Sequence, residues 1–190
     1  MIPFVFKSIE NLEQSIADLL DHLDINHPHE IDLDFIAKSR NIDIIRTSVK
    51  RSWVASHPLK ANWFCINVNE DLDKYQQREV IAHELIHCLF HSGNQLLLPR
   101  SVIQHQEREA KLGATFLLIP SSMLNRLRQP FHRVSQISEI FRVAPSLVKK
   151  RLMLHKHSFI EEQYDKQWSV MFTSSNSMVN QEDQTYARTC

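Results

Sequence analysis

The sequence is short of cysteine, of net charge and of long apolar runs, and each shortage removes a class of protein. Three cysteines, Cys65, Cys88 and Cys190, stand far apart with no CxxC pair, which argues against a disulfide-stapled secreted scaffold and against a thiolate zinc site. Lys plus Arg and Asp plus Glu number 22 each, so no global charge draws the chain to nucleic acid or to an anionic membrane. No apolar stretch approaches the roughly 18 residues that a bilayer span requires, and the opening MIPFVFKSIENLEQ has no signal-peptide core. The expected setting is a reducing cytoplasm. What remains is an ordinary globular composition, 43% hydrophobic and 23% charged over 190 residues, enough for one compact domain with a small appendage.

The balanced charge is unevenly spread. Residues 1–45 carry nine acids against three bases, and residues 121–157 carry eight bases against the single acid Glu139, so only the C-terminal third could face a polyanion. Leu12, Ile16, Leu19, Leu20 and Leu23 recur at helical spacing behind Ser8, which predicts an amphipathic helix over about 9–24. A short helix over about 31–39 and β-rich segments at 42–47, 52–55 and 63–68 follow, read as a small, mostly antiparallel sheet. Trp53, Trp63 and Phe64 in these segments are expected in the core. From Asp73 to His91 there is neither glycine nor proline, and Val80, Ile81, Leu85 and Cys88 keep a helical apolar stripe. A loop at SGNQLLLPR separates this helix from another over about 101–118, which Pro120 stops. Shorter helices are expected near 121–128, 135–141 and 145–155, and a polar tail, disordered from about 173.

The segment His83-Glu84-Leu85-Ile86-His87 is an HExxH inside the helix already drawn from apolar periodicity. Residues four apart lie about 6 Å apart along the axis on nearly one face, so two imidazoles can converge on one divalent cation. Glu84, one residue off that face, can reach a water on the ion without ligating it, the position of a general base. A third protein ligand is needed. His91 lies about 12 Å along the axis from His83, too far for bonds of about 2 Å. The metzincin pattern fails because Phe90 and Gly93 stand where it needs glycine and histidine. The helix at 101–118 offers Glu107 and Glu109. Tyr75, His91 and His105 are candidate donors to a transition-state oxyanion.

HELIHCLFH, followed from Glu107 to Pro120 by EREAKLGATFLLIP, resembles the ImmA/IrrE metallo-endopeptidases, whose pattern is HExxH and then a helix reading ExxANxFAxxLLMP. Aligned on Ala110, Ala114, Leu117, Leu118 and Pro120, the resemblance puts the ligand glutamate at Glu107 and leaves Glu109 as a variable neighbour. It is strongest over about 52–120. The chain departs from the pattern at Lys111, where the family usually has Asn or Asp, and at Gly113, where it usually has an aromatic. In related zinc peptidases that Asn or Asp is an outer-shell partner of a ligand histidine, and lysine has no acceptor to offer one.

Two helices at 135–141 and 145–155, joined by a turn at Val143-Ala144, look like a helix-turn-helix. Lys149, Lys150 and Arg151 would lie along the outside of the second helix, where they could touch phosphates. A packing module or a cradle for a partner is the favoured reading, because few base-reading side chains open that helix.

The expectation is therefore an α+β fold: a zincin-like peptidase domain over 1–130 with a small antiparallel sheet and an HExxH helix, a helix-turn-helix-like part over 131–157, and an extension over 158–190. Its expected activity is that of a metal-dependent endopeptidase using His83, His87 and Glu107 as ligands and Glu84 as base. Zinc is the expected metal, with manganese or iron also suited to two histidines and a carboxylate. The resemblance implies one protein substrate, a helix-turn-helix repressor of the Xre type. The alternatives are a non-proteolytic anti-repressor or antitoxin-like binding protein, and a DNA-binding regulator using residues 134–156.

Overall fold

A computed structural model describes residues 8–56, 59–60, 63–91, 98–127 and 133–154. Contacts within the chain group Met1–Arg151 into one unit and Leu152–Cys190 into another. Only 152–154 of the second unit are described, so the expected tail, its disorder and Cys190 lie outside the described residues, as does most of the loop before Pro99.

Helix α1 spans Ile9–His22. Ser8 caps it by accepting from the Asn11 amide, and it buries Leu12, Ile16, Leu19 and Leu20. A 3-10 turn over Pro28–Glu30 leads to α2, Leu33–Ser39. This helix starts two residues later than periodicity suggests, because the Asp32 carboxylate caps the amides of Asp34 and Phe35. Strands β1 (Ile42–Thr47), β2 (Trp53–Ser56) and β3 (Phe64–Asn69) follow. Helices α3 (Lys74–Phe90) and α4 (Arg100–Leu118) pack on each other in the first unit, and α5 (Ser121–Arg126) and α6 (Val134–Phe141) come after them. A last helix, α7, covers 145–154. The fold is thus mixed α+β, as the sequence implies. Among the described residues no helix is long and apolar enough to cross a membrane.

The sheet corrects the expectation. Its order is β1-β3-β2, with β3 antiparallel to β2 but parallel to β1. The reason lies in β3, whose Cys65, Ile66, Asn67, Val68 and Asn69 are all buried. A strand buried on both faces belongs between two others, so it displaces the β1–β2 hairpin that a short connection invites. Asn67 pairs its amide inside the sheet, accepting from Thr47 Oγ1 at 2.7 Å and donating to the Arg51 carbonyl at 3.4 Å.

The aromatic expectation is also corrected. Trp53 is 45% and Phe64 42% exposed, and Trp63 is half-buried with the Lys60 ammonium 3.9 Å from its ring centroid. Trp53 shares the row Ile45–Asn67–Trp53, whose two outer members are both exposed, and Phe64 is the exposed first residue of β3.

The C-terminal helices close on the same core. Arg142 ends α6 in a left-handed conformation, φ 54°, and its guanidinium donates to the His29 carbonyl at 2.9 Å. Ile137, Phe141, Val143, Leu147 and Val148 are buried. Lys149 and Lys150 are exposed as expected, but Arg151 is not. It is 2% exposed, donating from Nε to the Ile119 carbonyl at 2.9 Å and from Nη2 to Glu13 and to Ser121 Oγ, and it lies over the Phe116 ring. Three acceptors and an aromatic face outcompete solvent for this guanidinium, so it cannot serve as a phosphate contact.

Candidate metal centre

Helix α3 begins where the Asp73 carboxylate accepts from the Tyr75 and Gln76 amides and Gln76 reaches back to the Asp73 amide, a reciprocal cap. From there it runs unbroken past His83 and His87, with Ile81, Ala82, Leu85 and Ile86 buried. Arg78 ties it to the Ile31 carbonyl at 2.8 Å. Helix α4 packs closely along it, and Gly113 explains how closely. A Cβ there would lie 3.0 Å from both Cγ atoms of Ile86, so the hydrogen of glycine is what lets the two backbones approach. The departure at Gly113 is thus filled from across the interface, by a fully buried Ile86.

This approach brings Glu107 to the two histidines. His83 Nε2 and His87 Nε2 are 3.1 Å apart, Glu107 Oε2 is 3.4 Å from His83 Nε2, and Glu107 Oε1 is 3.3 Å from His87 Nε2. Donor atoms on a tetrahedron with bonds of about 2.0–2.1 Å are separated by about 3.4 Å. The three side chains therefore have the composition and the spacing for one divalent cation, and Glu107 keeps a partly exposed carboxylate, 40% open, toward solvent. His83 and Glu84 both line a cleft of about 290 Å³, together with Val80, Lys111, Ala114 and Leu147.

Burial sets the protonation of this cluster. Desolvation lowers the pKa of both His83 and His87, against the attraction of Glu107, which favours the neutral imidazoles that ligate metals. The Glu84 carboxyl is pushed up to about 7, first by burial and then by Glu107, with Arg51 opposing. That is the range in which a carboxylate can take up a proton and release it again near neutrality. Cys88 beside them is a half-buried thiol pushed up to about 12, chiefly by burial, and is correspondingly inert.

The remaining candidates are not at the open side of this cluster. Tyr75 sits in the first turn of α3, about 12 Å along the axis from His83. His91 meets the far edge of His87: its Nδ1 is 2.9 Å from His87 Nδ1, and its Nε2 is 3.1 Å from Glu109 Oε2. His105 Nε2 lies 3.3 Å from Glu109 Oε1. Neither histidine is among the residues that line the cleft; both meet Glu109 instead. Glu109, a variable neighbour by the resemblance, is buried. The stripe Gln106, Glu109, Ala110, Gly113 and Leu117, spaced three and four apart, already marks the inward face of α4. Lys111 lines the cleft, and its charge acts on His83.

Comparison with known proteins gives the family. Residues 37–153 match the Peptidase M78 family, described as the IrrE N-terminal-like domain. The chain is 28% identical over 149 residues to the uncharacterized protein YqaB of Bacillus subtilis (strain 168), covering 76% of this chain and 84% of that one. It is 26% identical over 168 residues to the phage-like element PBSX protein XkdA of the same organism, covering 87% and 83%. A solved Mycobacterium tuberculosis transcriptional regulator shares the fold with a TM-score of 0.56 at 15% identity, over 75% of this chain but only 46% of its own. A match that contains both the HExxH helix and the helix bearing Glu107 assigns the chain to the Peptidase M78, IrrE N-terminal-like family, metallopeptidases at the family level.

Proposed function

We propose that this protein is a metal-dependent endopeptidase that cuts one protein partner, a helix-turn-helix repressor of the Xre type. The observation that carries the reading is the convergence of His83, His87 and Glu107 to within 4.8 Å of one another, beside Glu84 and at the mouth of a cleft. His83, His87 and Glu107 would hold the ion, with zinc first and manganese or iron sharing the donor preference. When bound, a divalent cation supplies Lewis-acid chemistry, lowering the pKa of a coordinated water and polarising a peptide carbonyl.

The chain's own groups do the rest. Glu84 takes the proton of the attacking water and hands it to the leaving amine nitrogen, a cycle that suits a carboxyl raised to about 7. Val80, Ala114, Leu118 and Leu147 offer an apolar wall for a substrate side chain. Strand β2 is a sheet edge, and Ser52, just before it, borders the cleft. An extended substrate segment would add to this edge and lie across the cleft.

The partner assignment is supported by the resemblance stated above, by XkdA being named for a phage-like element, and by a structural neighbour titled a transcriptional regulator. Residues 1–130 would form the peptidase domain, and 131–157 a helix-turn-helix-like packing module. Burial of Arg151 weighs against direct DNA binding there.

Glu84→Gln tests the reading. The zinc-loaded wild type should cleave a purified Xre-type repressor, and the variant should bind that repressor and zinc but leave the repressor intact. If both proteins relieve repression equally and neither cleaves, the chain is an anti-repressor that works by binding alone.

A further inference from the structure

The ligand reading leaves one question of chemistry open. A histidine that binds a cation through Nε2 carries its proton on Nδ1, and that N–H needs an acceptor to fix the ring. Lys111, at the position where the resemblance leads one to look for that acceptor, can only donate.

We propose that His91 and Glu109 supply this function as a buried relay behind His87. His87 Nδ1 is 2.9 Å from His91 Nδ1, and His91 Nε2 is 3.1 Å from Glu109 Oε2. With the His91 and Glu109 side chains only 3% and 8% exposed, water does not compete for these atoms. The proton positions follow from one end of the chain to the other. With Nε2 given to the cation, beside His83 and Glu107, the His87 ring keeps its proton on Nδ1 and donates it to His91 Nδ1. That nitrogen is then bare, so His91 carries its proton on Nε2 and donates to the Glu109 carboxylate. In the opposite direction a neutral His91 would turn a lone pair at the Glu109 carboxylate, two acceptors facing each other. The second oxygen of Glu109 lies 3.3 Å from His105 Nε2, which holds the carboxylate in line.

His83, His87 and His91 occupy successive turns of α3, with ring centroids 4.7 and 4.9 Å apart. The third turn, too distant to ligate, thus orients the second. His91 and Glu109 are positioning residues: they touch no substrate, and they act on the cation through the His87 ring. The proposal rests on the assignment of His83, His87 and Glu107 as ligands, and its test separates the two.

The test measures zinc affinity by chelator competition in the full chain, together with the thermal midpoint of the metal-free protein and the imidazole ¹⁵N and Nδ1–H shifts of His87 in the zinc-loaded protein. Wild type should bind zinc and, zinc-loaded, show a downfield, slowly exchanging Nδ1–H on His87. His91→Phe keeps the volume but removes the acceptor. It should weaken zinc about 10- to 100-fold and abolish the downfield His87 Nδ1–H signal. Glu109→Gln preserves an acceptor for His91 and should lose only a few-fold. His91→Phe combined with Glu109→Leu should be no worse than His91→Phe alone, because both act through one bond. A variant whose metal-free midpoint falls while zinc affinity and the His87 Nδ1–H signal stay as in wild type assigns the pair to packing and overturns the proposal. So does a doubly protonated His91 over a bare His87 Nδ1. A wild type that binds no zinc overturns the ligand assignment and this proposal with it, whereas zinc binding untouched by His91→Phe overturns the relay alone.

Discussion

Replacing Gly113 by alanine sets two effects of similar size against each other, and the structure decides between them. In a helix interior alanine is favoured over glycine by about 1 kcal/mol. The added Cβ, however, would stand 3.0 Å from Cγ1 and Cγ2 of Ile86 and 3.1 Å from its Cδ1. Ile86 is fully buried on the α3 face that meets α4, so its side chain has no open space to swing into. Overpacking of this kind costs about 1–3 kcal/mol, which leaves Gly113→Ala destabilising by about 1 kcal/mol net. Relief comes by parting α3 and α4, and parting them carries Glu107 away from His83 and His87. Urea unfolding at constant m-value reads the stability, and chelator competition reads the metal. The decisive comparison is made in an Ile86→Ala background. That change costs about 2–5 kcal/mol by itself, but with the clash gone Gly113→Ala should turn stabilising by about 1 kcal/mol and recover zinc affinity. If Gly113→Ala alone stabilises the protein by the full helix-propensity gain and leaves zinc binding unchanged, close approach at Gly113 does not build the site.

Two further outcomes follow from the same coordinates. Arg151→Met keeps the volume but strips the Ile119 carbonyl of its charged donor and Phe116 of its cation, and should cost about 2–4 kcal/mol in urea unfolding; Lys149→Ala, on the exposed side, should stay within about 0.5 kcal/mol, and the reverse pattern would show that Arg151 faces solvent. Zinc at about a hundredfold over its dissociation constant should stabilise the wild type by about 2.7 kcal/mol, a gain that EDTA removes and that Glu107→Gln largely abolishes; an equal gain in that variant would place the ion elsewhere.

Much of this was legible in one dimension. Helix α3 followed from the absence of glycine and proline and from its apolar stripe, and the His83–His87 pair follows from the 3.6-residue turn, because both depend only on neighbours along the chain. The same local logic gave α1 its Ser8 cap and α4 its stop at Pro120. What escaped was everything that depends on the identity of the neighbour across an interface. The direction of β1 against β3 turned on which strand was buried on both faces. Arg151 looked like one more surface cation until Glu13, Ser121 and the Ile119 carbonyl surrounded it. Glu109 read as a variable neighbour of the ligand and His91 as a candidate donor to the oxyanion, and only the packing of α4 on α3, permitted by Gly113 against Ile86, set them in contact behind His87. Periodicity determines which face of an element is apolar; only the closed tertiary structure decides which polar atom on another element meets it, since a hydrogen bond needs its partner within about 3 Å and sequence spacing fixes no such distance between helices.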